Sequence, residues 1–122
     1  MKYLLNRYFF RQIEDYGFTR EQLRMIFDDI NKDRAVSLGH QLYKLRVAGQ
    51  GSGKSVGFRV VFFWKREHSA ILCYLFAKNV QEDLSFNELR ALKILSKEYA
   101  ALTDADLKER IFSGDLKEFS ND

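Results

Sequence analysis

The chain has 122 residues, no proline, one cysteine, and no aspartate or glutamate between positions 35 and 66. Each absence removes possibilities. Without proline, a low-complexity run, an internal repeat or a shift in composition, nothing marks a linker. Residues 1–122 are therefore expected to fold as a single domain, long enough to bury a core without disulfides or metal. The lone Cys73 rules out an internal disulfide framework or a cysteine zinc cluster, and its apolar neighbours predict a buried, inert thiol. No apolar run approaches the roughly 20 residues of a membrane helix. The opening Met1-Lys2-Tyr3-Leu4-Leu5-Asn6-Arg7 lacks the layout of a secretory signal. A cytoplasmic location with no membrane partner is expected.

The net charge of +3 is small but unevenly spread. Residues 1–34 carry seven Lys/Arg against six Asp/Glu, residues 35–66 six against none, and residues 67–122 seven against eleven. The middle third is thus the part suited to a polyanion, and its interleaved aromatics and glycines resemble a nucleic-acid surface more than a solubilising one. Its centre is Lys44 to Arg59, KLRVAGQGSGKSVGFR, which holds four of the seven glycines. Ala48 to Ser55 (AGQGSGKS) satisfies the loose form of the phosphate-loop pattern. Such a loop works only where it succeeds a buried strand and opens a helix whose amides cradle the phosphates. Here Gly57 and the β-branched, aromatic run Phe58 to Trp64 come next instead, and they predict a strand. No later strand ends in an aspartate placed for magnesium. The glycines are expected to join two antiparallel strands.

Around this centre the pattern predicts Lys2 to Leu5 as a short strand and a helix through Phe9, Ile13 and Tyr16. Thr19 with Gln22 forms a capping box and Phe18 with Leu23 a hydrophobic staple, so a second helix should start near Arg20 and run to about Asp33. Leu42 to Val47 alternates, with Tyr43, Leu45 and Val47 on one face and Lys44 and Arg46 on the other. Phe58 to Trp64 and Ala70 to Ala77 form the next strands, joined by a turn from Lys65 to Ser69. If Phe58, Val60, Phe62 and Trp64 take the core, Arg59 faces the other way and joins Lys44 and Arg46. Ser85 with Glu88 caps a long helix through Leu92, Leu95 and Tyr99. Thr103 with Asp106 starts a shorter one that Gly114 ends, and Asp115 to Phe119 is a candidate last strand. The expected fold class is α+β: amino-terminal helices, a twisted antiparallel β-meander of three strands, and carboxy-terminal helices.

The ordered set Tyr43-Lys44-Leu45-Arg46-Val47-Ala48, the glycine-rich link through Gly53-Lys54, Gly57-Phe58-Arg59 opening an aromatic strand, and Phe76-Ala77-Lys78-Asn79 before a helix resembles the RelE/HigB-type toxins of bacterial type II toxin–antitoxin modules. The likeness covers roughly residues 38–102. It implies a RelE-like, microbial RNase-like fold and a ribosome-dependent endoribonuclease (an mRNA interferase). It also implies a cognate antitoxin, of helix-turn-helix type, with the ribosome and mRNA as further partners. Two positions depart from the RelE pattern: Asn79 aligns with an arginine, and Ser85 with a tyrosine of the next helix. The related ParE-type toxins share the fold but poison DNA gyrase without chemistry. A basic RNA-binding module without catalysis is the third reading.

RNA cleavage requires a 2'-hydroxyl to lose its proton and attack the adjacent phosphate, charge on the phosphoryl oxygens to be stabilised, and the leaving oxygen to be protonated. No cofactor or metal site is expected, so this work falls to cations. Arg46 and Arg59 suit bidentate clamping of phosphate oxygens. Same-face strand neighbours lie about 7 Å apart, where like charges repel by about 2 kcal/mol at an effective dielectric near 20. Such crowding favours the neutral form of a lysine, which makes Lys44 a candidate base or acid. His40 is the other candidate proton carrier, although a lone histidine at a strand entrance is more often structural, and His68 reads as a solvated turn residue. Lys54, Lys78 and Asn79 are expected RNA contacts, with capping of the adjoining turn an equal alternative for Asn79.

Overall fold

The computed structural model describes residues 1–48 and 57–120. In chain order the elements are β1 (Lys2–Asn6), α1 (Arg7–Tyr16), α2 (Arg20–Ile30), β2 (Val36–Gly39), β3 (Leu42–Val47), β4 (Phe58–Lys65), β5 (Ser69–Ala77), α3 (Phe86–Ala100), α4 (Asp104–Ser113) and β6 (Leu116–Glu118). The α+β class holds, but the sheet is wider than a three-strand meander. Six strands lie in the order β2-β3-β4-β5-β1-β6. β3, β4 and β5 form the antiparallel centre. β1 then joins β5 in parallel, with Leu4 opposite Ile71, and its other side pairs antiparallel with β6.

The helices form because their starts are capped. Thr19, Ser85 and Thr103 each accept from the backbone three residues on, and Gln22, Glu88 and Asp106 reach back to the cap. A cap of this kind contributes about 0.5–2 kcal/mol. α2 stops at Ile30, short of the expected Asp33. There the Asn31 amide donates to the Phe27 carbonyl and the Tyr3 hydroxyl, and Asp33 turns into the left-handed region at φ 58°.

Both faces of the sheet are covered, which is why β4 and β5 read as continuous apolar runs and not as alternating ones. Phe58, Val60, Phe62 and Trp64 pack with Phe9, Ile13 and the apolar stripe of α2. Val61, Phe63, Ile71 and Cys73 pack on the other side with Leu92 and Tyr99 of α3 and Leu107 of α4. Phe62 and Phe63 are essentially inaccessible, and burying each contributes about 1.5–3 kcal/mol. The expected inert thiol is found: Cys73 is 2% exposed, and burial pushes its pKa up to about 12.

β5 carries a bulge. Val61 pairs with Tyr74 and Phe62 with Leu72, so Cys73 is unopposed and both Cys73 and Tyr74 meet the α3-side core. Beyond Leu72, β1 no longer covers the edge of β5. α1 takes over there, since the Gln12 side chain accepts from the Leu75 N–H at 2.8 Å and donates to its carbonyl at 2.6 Å. One side-chain amide thus replaces a strand at a position where unpaired backbone is costly.

Candidate functional site

The antiparallel register of β3 and β4 sets Arg46 directly opposite Arg59 and Lys44 opposite Val61. Arg59 therefore does join the β3 cations on the α3 side of the sheet. Past the end of β5, the Lys78 N–H donates to the Gly57 carbonyl at 2.9 Å, drawing Lys78 toward the start of β4. Together these residues line an open cleft of about 670 Å³ with Arg34 and, at its rim, Glu82. Five cations converge there, with Glu82 the one acid among the lining residues. Among the described residues neither Arg46 nor Arg59 forms an ion pair, and Arg59 Nη1 donates instead to the Phe58 carbonyl at 3.3 Å.

Lys44 is differently placed. Its Nζ lies 3.1 Å from Asp83 Oδ1, with the lysine side chain 23% exposed. Asp83 also accepts from the Leu84 N–H at 2.8 Å. That backbone bond, and then Lys44, hold the Asp83 carboxyl below the usual carboxylate range. Lys44 therefore has an anion in contact as well as the arginines beside it.

The segment carrying Asp83 is itself pinned. Gln81 Nε2 donates to the Asp83 carbonyl at 3.0 Å and to Glu88 Oε1 at 2.9 Å. Glu88 Oε1 also takes the Ser85 N–H, while Oε2 takes the Tyr74 hydroxyl at 2.5 Å. These bonds, the Ser85 N–H first, pull the Glu88 pKa down to about 2. The capping carboxylate of α3 thus doubles as the clasp between the helix, β5 and the loop that holds Lys44.

The structure gathers Lys44, Arg46, Arg59 and Lys78 and adds Arg34, Glu82 and Asp83. Asn79 sits exposed in the turn after β5 and does not line the cleft. Lys54 falls outside the described residues. So does most of the glycine-rich stretch, but its flanking strands are antiparallel neighbours with Val47 opposite Phe58. The stretch leads into strand β4, not into the helix that a phosphate loop opens. His40 lies in the β2–β3 turn at φ 54° and faces α3, away from the cleft. His68 is not simply solvated: Nε2 is 2.8 Å from Asp104 Oδ1 and Nδ1 is 3.0 Å from Ser69 Oγ, which ties the β4–β5 turn to the start of α4.

Arg34 has no signal in the sequence because its position depends on a non-local pairing. β2 is a four-residue, mostly exposed edge strand without alternation, and only its register, Val36 opposite Lys44, carries Arg34 to the cleft. Asp83 has no local signal beyond lying just before a capping box.

The family model described as the RelE toxin of the RelE/RelB toxin–antitoxin system matches residues 1–119. The chain belongs to the RelE toxin family. Comparison with curated proteins finds no match. For a RelE toxin a cognate antitoxin is an implied partner. No helix among the described residues is long and apolar enough to cross a membrane.

Proposed function

We propose that this RelE-family toxin is a ribosome-dependent endoribonuclease that cuts mRNA at the cleft between β3, β4 and the end of β5. The observation that carries the reading is the cross-strand placement of Arg46 against Arg59, on the same face as Lys44. Two guanidinium groups without an ion-pair partner among the described residues suit a scissile phosphate, whose oxygens gain charge as the adjacent 2'-hydroxyl attacks. Lys44, held by Asp83, is the group able to carry a proton at the attacking or leaving oxygen, and the pair supplies both a cation and a carboxylate for that exchange. Lys78 and Arg34 then hold flanking phosphates. Lys54 and Asn79 are assigned outer RNA contacts. The reaction needs no metal, the enzyme acts in the cytoplasm, and an antitoxin of helix-turn-helix type restrains it.

The test is induction in bacteria with mapping of transcript ends. Cuts linked to codon position that require ongoing translation are expected. Accumulated gyrase–DNA breaks with intact messages would overturn the reading in favour of a ParE-like inhibitor. RNA binding without new transcript ends would reduce the protein to a binding module.

A further inference from the structure

α3 has two apolar sides, and the fold uses only one. Leu92, Ser96 and Tyr99 face the core. On the opposite side Phe86 and Ile94 remain 78% and 64% exposed. They lie eight residues apart, and Arg90 falls midway between them on the same stripe. Lys93 and Lys97 flank it. Between Phe86 and Lys97 the stripe holds no acid, Glu98 just beyond it being paired with Arg110, and none of its three cations forms an ion pair among the described residues. With His40 of the β2–β3 turn it borders a shallow groove of about 300 Å³. Exposing a phenylalanine and an isoleucine on one stripe contributes nothing to folding, and such patches rimmed by charge mark interaction surfaces.

We propose that this face, from Phe86 to Lys97, is the docking surface for an acidic amphipathic helix of the antitoxin, an inference that rests on the chain's membership of a toxin–antitoxin family. The chemistry selects the occupant. Apolar anchors two turns apart match the spacing of anchors on a helix laid in a groove. Three cations lacking an ion-pair partner among the described residues call for carboxylates along the flanks of that helix. The stripe is about 17 Å long at 1.5 Å per residue, enough for roughly three turns. A nucleic-acid strand would use the cations but has no use for Ile94. Because Phe86 lies three residues past Asp83, a helix docked here ends beside the Lys44–Asp83 pair without having to enter the cleft.

The test uses the full-length toxin and the antitoxin encoded by the adjoining reading frame, titrated against each other at several salt concentrations. The triple variant Arg90→Glu, Lys93→Glu, Lys97→Glu and, separately, Phe86→Ser are expected to weaken binding by roughly thirtyfold or more, the loss typical of an anchor residue. The triple variant should also lose the salt dependence of wild-type binding. Both should still arrest growth when expressed without antitoxin. Circular dichroism identical to wild type separates these effects from unfolding. Wild-type affinity in both variants overturns the proposal. So does a loss of RNA or ribosome binding with antitoxin affinity intact, which would make the face a nucleic-acid surface, or the disappearance of a toxin dimer with antitoxin affinity intact, which would make it a self-association surface. If antitoxin binding depends on Phe86 while no RNA is cut, the docking surface stands and the ribonuclease reading falls.

Discussion

Arg46 and Arg59 face each other across the β3–β4 ladder as direct register partners. Cross-strand partners have Cβ atoms about 4.5–5.5 Å apart, and like charges in that relation destabilise a sheet by a few tenths of a kcal/mol to about 1 kcal/mol. A fold selected for stability alone would not place them so. Under the proposed function, that repulsion is relieved when a polyanion binds.

Arg59→Ala tests this directly. Stability in urea should stay within about 0.5 kcal/mol of wild type or rise slightly, because the mutation relieves repulsion at a half-buried strand position. Growth arrest and RNA cleavage should fall by about a hundredfold or more, the scale of losing one charge-stabilising group. A variant that is both stable and fully toxic would show that the cleft is misassigned.

Arg34 and Asp83 should act on RNA with opposite signs. Arg34→Ala removes one phosphate contact, so affinity for a short single-stranded RNA should drop by roughly threefold to tenfold. The slope of log affinity against log salt should shallow by about 0.7. Asp83→Asn removes the anion bonded to Lys44 and should raise that affinity while lowering the cleavage rate, since Lys44 loses the group that positions it. Filter binding across a salt series, read beside single-turnover cleavage, checks both. A weaker-binding Asp83→Asn would mean that the carboxylate supports the site only by ordering the loop.

Much of this arrangement is legible in the sequence because its signals are local. The capping boxes Thr19/Gln22, Ser85/Glu88 and Thr103/Asp106 set helix starts within a four-residue window, and the alternation from Leu42 to Val47 alone assigns Lys44 and Arg46 to one face. The parallel β1–β5 pairing, the bulge at Cys73, the Gln12–Leu75 bridge and the register that delivers Arg34 join residues far apart in the chain. No periodicity records such pairings, and β2 is too short and too exposed to announce itself. The same division explains the site: Lys44 and Arg46 on the alternating β3 are readable, and Arg34 and the carboxylate that meets Lys44 are not.

Glu88 should contribute, with Asp83, to the acid response of the loop that holds Lys44. Its pKa falls from 4.5 to about 2 in the fold. A carboxyl with a depressed folded value binds protons more readily when unfolded. Its contribution is therefore complete above pH about 4.5 and is lost progressively as pH falls toward about 2. Glu88→Gln should cost about 0.5–1 kcal/mol at neutral pH, the range of a capping contact. The difference between variant and wild type should shrink through that acid window. Thermal melts from neutral pH down to the folded value measure it, and a gap that stays constant with pH would mean that the carboxylate charge contributes nothing.

The buried pair Asn6 and Tyr99 makes the firmest stability prediction. Asn6 Oδ1 caps α1 by accepting from the Phe9 N–H at 2.8 Å, while its Nδ2 donates to the Tyr99 hydroxyl at 3.2 Å. Both residues are buried, so one side chain joins β1, α1 and α3 where water does not compete. Burial also raises the Tyr99 pKa, which keeps its hydroxyl protonated. Tyr99→Phe leaves one Asn6 N–H without a partner and should cost about 1–2 kcal/mol. Asn6→Ala loses the cap as well and should cost about 2–3 kcal/mol. Combining the two should cost less than their sum by about 0.5–1 kcal/mol, because the shared bond can be lost only once. Urea denaturation of the two single variants and the double variant closes the cycle, and strict additivity would show that the Asn6–Tyr99 bond is not formed in solution.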